Sequence, residues 1–229
     1  MKTIGLVGGM SWESTALYYK LINEGVRDAL GPLRSASILM YSYDFERIKA
    51  LQYAGRWEEA GDDMADIAHR LETAGAEAVL ICTNTMHKVA PMVEARITVP
   101  LLHLADCTAQ EVVKSGIERV ALLGTRFTME EDFYSSRLQA RGLEVLVPDK
   151  DDIAEVNRII YDELCQGVVL EKSRERFKSI IGTLGTRGAH GVILGCTEIG
   201  LLIGPQDVNV PTFDTTAIHA AAAVEFAIG

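Results

Sequence analysis

The four cysteines, at 82, 107, 165 and 196, never approach a CxxC spacing. That excludes a zinc knuckle and a disulfide framework, and it points to the reducing cytosol. No apolar run reaches the roughly 20 residues that a membrane-spanning helix requires. The opening MKTIGLVGGMSWES has one lysine and a short apolar core, but glycines and Trp12-Glu13 interrupt it at once. It reads as a buried strand and turn, not as a secretory signal. GxGxxG is absent, and LVGGMSWEST does not fit a phosphate-binding P-loop. Positive charge is scarce as well. The net charge is −10, so nucleic acid and anionic lipid are excluded as general partners. No low-complexity linker divides the chain.

What is present is an ordinary globular balance over 229 residues, with 48 % apolar and 24 % charged. The length suits one large domain or two of about 110 residues. Short apolar runs alternate with longer amphipathic stretches. Strands are expected at 3–7, 36–41, 78–82, 100–104, 119–124, 143–147, 191–195 and 211–214. WEEAGDDMADIAHRLETAG (57–75) repeats Met64, Ile67, Ala68 and Leu71 at helical spacing, with Gly75 as a stop. Such alternation predicts an α/β fold with mostly parallel sheets flanked by helices.

One pattern occurs twice. AGAEAVLICTNT aligns without a gap on RGAHGVILGCTE, which places Gly75 on Gly188, an offset of 113 residues. VPLLHLADCT and VPTFDTTAI agree at an offset of 111, and IGLVGGMS matches VALLGTRF more loosely. The order of all three pairs is kept. Two pseudo-symmetric α/β domains are therefore expected, at 1–115 and 116–229, with the joint at Ser115-Gly116 and the last helix packing back on the first half.

Ligands of parallel sheets bind beyond the carboxyl ends of the strands. CTNT and GCTE both fall there. Adjacent residues at a strand end point to opposite faces, so Cys82 and Thr83 do not both face a substrate. The repeat sets Cys196 on Thr83 and Cys82 on Gly195. A thiol and a hydroxyl on either side of a tetrahedral carbon suit proton removal on one face and proton return on the other. A helix N-terminus or donor neighbours would lower the thiol from its usual pKa of about 8.5. The glycines of GGMS and Gly124 would let backbone approach a ligand closely.

Together LVGGMSWEST, CTNTMHK and GVILGCTEIGLL resemble the aspartate/glutamate racemase family over essentially the whole chain. The resemblance implies two pseudo-symmetric domains and catalysis at their interface without pyridoxal phosphate or any other cofactor or metal. It implies a small amino-acid substrate and allows a homodimer. Family members usually carry Cys directly before Asn-Thr; here Thr83 holds that place. The closest resemblance is to a branch, specific for L-aspartate and L-glutamate or broader, with an unequal Thr/Cys pair. It implies catalytic roles for Thr83 and Cys196 and substrate contacts for Met10, Gln52, Asn84, Thr85 and Thr197. Relatives that select aspartate use a lysine in Y-x-x-x-K-x-G and an arginine after the second strand. YDELCQG (161–167) has Cys165 in the lysine's place, and the nearest arginine is Arg47 in YDFERI. Gln52 is then the group to take over by hydrogen bonding. A diacid decarboxylase, a cis–trans isomerase or a non-catalytic acid-binding protein on the same frame are the alternatives.

Blander readings stand beside these. A lone cysteine is usually a small core residue; Cys82 is read so, and Cys107 and Cys165 as structural, with Cys165 also able to line the pocket. Thr83, Asn84 and Thr85 have helix capping as the competing role. His87 is read as a satisfied or surface histidine, and Glu198 as a charge favouring a helix start.

Overall fold

The computed structural model describes residues 1–229, which fall into two compact units: Met1–Leu104 with His219–Gly229, and Ala105–Ile218. No helix is long and apolar enough to cross a membrane. In chain order the elements of the first stretch are β1 (Ile4–Gly8), α1 (Trp12–Leu30), β2 (Ile38–Ser42), α2 (Phe45–Tyr53), α3 (Trp57–Thr73), β3 (Ala78–Ile81) and α4 (Ala90–Arg96). The second unit is carried by α5 (Leu104–Lys114), β4 (Arg119–Gly124), α6 (Arg126–Glu130), α7 (Asp132–Gln139), β5 (Glu144–Leu146), α8 (Lys150–Asp162), α9 (Glu171–Thr186), β6 (Val192–Gly195), α10 (Ile199–Leu202) and β7 (Thr212–Asp214). The final helix α11 (Thr215–Ile228) starts in the second unit and belongs to the first from His219 on.

Each unit is a parallel sheet flanked by helices. The first sheet runs β2-β1-β3 and the second β5-β4-β6-β7. The two ladders match at the offsets read from the sequence. Val79 bridges Leu101 in the first unit, and Val192 pairs with Thr212 in the second, at offsets of 113 and 111. Val79 N–H donates to Pro100 O and Val192 N–H to Pro211 O, both at 2.9 Å. The first strand of each unit leads to a helix capped by a hydroxyl, Ser11 on α1 and Thr125 on α6.

Residues 100–104 form no strand. Leu101 keeps one bridge, and then the backbone groups are diverted. Leu102 O accepts from the His219 ring, and Leu104 N–H, which opens α5, donates to the His87 ring. The division between units falls at Leu104/Ala105 and not at Ser115-Gly116. The cause is side-chain bonding of α5 to its own unit: Arg137 donates to Asp106 at 2.6 Å and Tyr134 to Thr108 at 3.4 Å.

Strand alternation sorts the core of the first unit into two clusters. Val7, Val79 and Ile81 face Ile48, Leu51, Met64 and Ile67. Ile4, Leu6, Leu80 and Cys82 face Tyr18, Ile22, Ala220, Ala223 and Ala227, which belong to α1 and α11. Each large apolar side chain so buried contributes about 1.5–3 kcal/mol before ordering costs. The glycines of the first turn serve the chain's own packing. A Cβ on Gly9, at φ 91°, would stand 2.1 Å from Tyr43 O, and one on Gly8 would stand 2.3 Å from Thr15 Cγ2.

Candidate active site

In the first unit the candidate residues gather beyond β1 and β3. Thr83 follows β3 and is half-buried. Its hydroxyl makes no hydrogen bond to the rest of the chain, whereas its carbonyl accepts from His87 Nδ1 at 2.8 Å. Asn84 precedes the 3₁₀ turn Thr85–Val89 without capping it through its side chain. Asn84 and Thr85 are both buried. Met10, after β1, lies in the same apolar cluster as Ile48, Leu51 and Met86. Gln52 on α2 is buried beside them and donates from Nε2 to the Met86 sulfur at 3.1 Å. Its Oε1 is buried with no partner. Met10, Gln52 and the Thr83–Met86 turn are thus brought together.

Cys82 is fully buried against α1 and α11, and burial pushes its thiol far up. A thiol that stays neutral in an apolar cluster is not a proton acceptor. Arg47 is committed as well. It donates to Asp63 at 2.9 and 3.0 Å and to the Tyr43 hydroxyl, which itself donates to Asp63. Burial and the Asp63 carboxylate push the Tyr43 phenol up to about 12, so it stays protonated.

The second unit supplies Cys196, Thr197 and Glu198 directly after β6, all buried. The Cys196 thiol donates to Glu198 Oε2 at 2.9 Å, and the Thr197 hydroxyl donates to the same oxygen at 2.7 Å. Burial first, then the Glu198 charge and the Cys165 thiol, push Cys196 well above its usual value. The expected lowering by a helix start is therefore reversed. The helix after GCTE, α10, has only four residues, and a carboxylate stands between it and the sulfur. In this state Cys196 is a thiol with a proton acceptor already hydrogen-bonded to it. Glu198 does more than favour a helix start.

Two open pockets lie elsewhere. One of about 440 Å³ is lined by Tyr43, Arg47 and Asp63 in the first unit. One of about 660 Å³ is lined by Lys114, Ile203, Phe213 and Ala217 in the second. Neither includes Thr83, Cys196 or a substrate contact expected from the sequence.

The residues the sequence did not single out together are three buried histidines. His87 and His103 have ring centroids 4.5 Å apart, and His87 and His219 have theirs 5.9 Å apart. Tyr18 reaches His219 Nδ1 at 2.9 Å, and His219 Nε2 reaches Leu102 O at 2.6 Å. Burial and the neighbouring His87 hold His219 down at about 3. Each histidine comes from a different segment, so no spacing in the sequence announces the cluster. The Cys196–Glu198 contact did have a signal, a cysteine and a carboxylate two residues apart on one tight turn.

Comparison with known proteins identifies the family. The Asp/Glu/hydantoin racemase family matches residues 7–223. A broad-specificity amino-acid racemase, RacX of Bacillus subtilis (strain 168), is 22 % identical over 227 residues, covering 96 % of each chain. A crystal structure from Yersinia pestis, of a protein assigned to the Asp/Glu racemases, superposes with a TM-score of 0.94 at 51 % identity, covering 100 % of both chains. That of an aspartate racemase homologue from Pyrococcus horikoshii OT3 does so at 0.87 and 38 %, again over 100 % of both. The chain belongs to the Asp/Glu/hydantoin racemase family.

Proposed function

We propose that this racemase inverts the Cα of amino acids, aspartate and glutamate among a wider range, with Cys196 and Thr83 as the two proton-handling groups. The observation that carries the reading is the hydrogen bond from the Cys196 thiol to Glu198. A buried thiol without a proton acceptor would be inert. With Glu198 beside it, the proton has a place to go as the sulfur turns to Cα–H. Sγ–H gives its proton to Glu198, the thiolate takes the Cα proton, and a planar carbanion is left. A proton delivered to the opposite face completes inversion; solvent then returns a proton to the donor oxygen and takes the one left on Glu198. Thr83 is the group for that face, because it stands at the matching place in the other repeat and its hydroxyl is not engaged by the chain. Met10, Asn84, Thr85 and Thr197 are proposed to hold the substrate.

Breadth of substrate is supported by two features. Arg47, the nearest cation after the second strand, is neutralised by Asp63, and Cys165 brings no positive charge. Gln52 Oε1, in contrast, is a buried acceptor in need of a donor. The α-ammonium is a donor that α-amino acids share. Localisation in the cytoplasm and a homodimeric state are part of the same proposal.

A hydroxyl is a much weaker base than a thiolate. The two half-reactions should therefore run at unequal rates. Racemisation has an equilibrium constant of one, so kcat/KM must still be the same for both enantiomers. The test follows chirality and substrate concentration together across D- and L-forms of aspartate, glutamate and neutral amino acids. Loss of optical rotation without loss of amino acid is expected. Consumption of a diacid with no racemisation would overturn the reading in favour of a lyase or isomerase. Tight binding with no Cα exchange would reduce the protein to a binding module.

A further inference from the structure

The buried polar chain behind Thr83 has no part in the chemistry above. Its hydrogen bonds fix the tautomers of His87 and His219. Leu104 N–H donates to His87 Nε2 at 3.2 Å, so that nitrogen is the acceptor and Nδ1 carries the hydrogen. Nδ1–H then donates to Thr83 O at 2.8 Å. The second histidine holds the opposite tautomer: a carbonyl, Leu102 O, accepts from His219 Nε2, and Nδ1 accepts from the Tyr18 hydroxyl. Both rings are neutral in this arrangement. They grip the segment 102–104 from two sides, at Leu102 O and Leu104 N.

From this we infer that His87 is a positioning residue for Thr83. Thr83, two residues past β3, has left the ladder that Cys82 N–H still joins at Val7 O. Its carbonyl is held by a ring that is itself anchored at Leu104 and packed against His103 and His219. The Thr83 side chain is thereby aimed through its own backbone, while its hydroxyl stays available. Misplacement of a reacting group by about 1 Å costs on the order of 100-fold. The second unit uses a different device, with Glu198 bonded to the reactive sulfur itself. Removal of His87 should therefore damage one half-reaction only. The inference rests on the assignment of Thr83 as the second proton-handling group.

The test is Cα–H loss in deuterated water, followed by NMR from each pure enantiomer, alongside racemisation. Wild type, His87→Leu, His87→Asn and Thr83→Val are compared. His87→Leu should lose about tenfold or more of the exchange from the enantiomer served by Thr83. Exchange from the other enantiomer should persist, because Cys196 can remove and return a proton on its own face. Racemisation should fall equally in both directions. His87→Asn, whose amide stands where Nδ1 does, should restore most of the lost exchange. Should His87→Leu fail to fold, His87→Gln replaces it, since its amide reaches the Nε2 place and not the Thr83 carbonyl. The same one-sided loss is expected of it. Equal losses for both enantiomers, no loss at all, or no rescue by Asn would overturn the inference. If Thr83→Val also leaves both exchange rates intact, the assignment of Thr83 fails first. If Thr83→Val is one-sided and His87→Leu is not, the positioning inference alone fails.

Discussion

The two units share a sheet order and a register, yet they finish their third strands differently. Beyond β3 stands a hydroxyl with no hydrogen bond to the chain, on a backbone held by His87. Beyond β6 stands a thiol bonded to a carboxylate, with a second hydroxyl on the same oxygen. One repeat fixes the main chain and leaves the hydroxyl alone. The other bonds the thiol itself. The difference follows from the chemistry: a thiol can be turned into a base by a neighbour that takes its proton, and a hydroxyl at neutral pH can hardly be. The repeated frame thus carries two unequal devices at equivalent positions of its two units.

The comparison breaks most severely if the sulfur is removed. Cys196→Ala should lower racemisation by about 10²–10⁴-fold, read by polarimetry at saturating substrate. Glu198→Gln sharpens it. The carboxylate both accepts the thiol's proton and, by its charge, raises the thiol's pKa. Without that charge the pKa should fall and the thiolate fraction at neutral pH should rise. Racemisation is expected to drop roughly 10- to 10²-fold, while alkylation of Cys196 by iodoacetamide becomes faster. A parallel fall in both would contradict the proton-acceptor role. Thr83→Cys should make the two ends alike and raise Cα exchange from the poorer enantiomer, because a thiol is partly ionised at neutral pH and a hydroxyl is not.

Acid should separate the units in another way. His87, His103 and His219 are all buried in the first unit, whereas the second contains only the exposed His190. His219 sits at about 3 in the fold against an ordinary 6.5. Between those values the unfolded chain binds the proton and the native one does not. Stability is then lost progressively as pH falls from about 6.5 toward about 3. Amide hydrogen exchange at pH 7 and pH 4.5 should show protection lost first around α1, α11 and residues 83–104. The smallest effect is reserved for the cysteine that looks most reactive in the sequence. Cys82→Ala should cost ~1 kcal/mol of stability, as an average core truncation does, and leave racemisation close to wild type.

Much of the fold could be read in the chain because the repeat is preserved in its strands. The pairs Val79–Leu101 and Val192–Thr212 reproduce the aligned offsets. The repeat also told Cys82 from Thr83, because alternation along β3 sends Cys82 to the α1 and α11 face. What local pattern could not give was anything assembled from distant segments. The strand expected at 100–104 is cut short by two histidine rings, one of them more than a hundred residues away along the chain. The state of the Cys196 thiol depends on burial, which reverses the effect expected of a helix start. That the glycines of GGMS make room for Tyr43 and Thr15 was not legible either, since both lie outside the motif's own turn.

The unequal pair is the central claim, and wild-type Cα–H exchange in deuterated water tests it most directly. From pure D- and pure L-amino acid, at saturating concentration, the initial rates of Cα–H loss should differ while kcat/KM for racemisation is the same in both directions. Equal exchange from both enantiomers would mean two equivalent bases, and would contradict the assignment of Thr83 and Cys196.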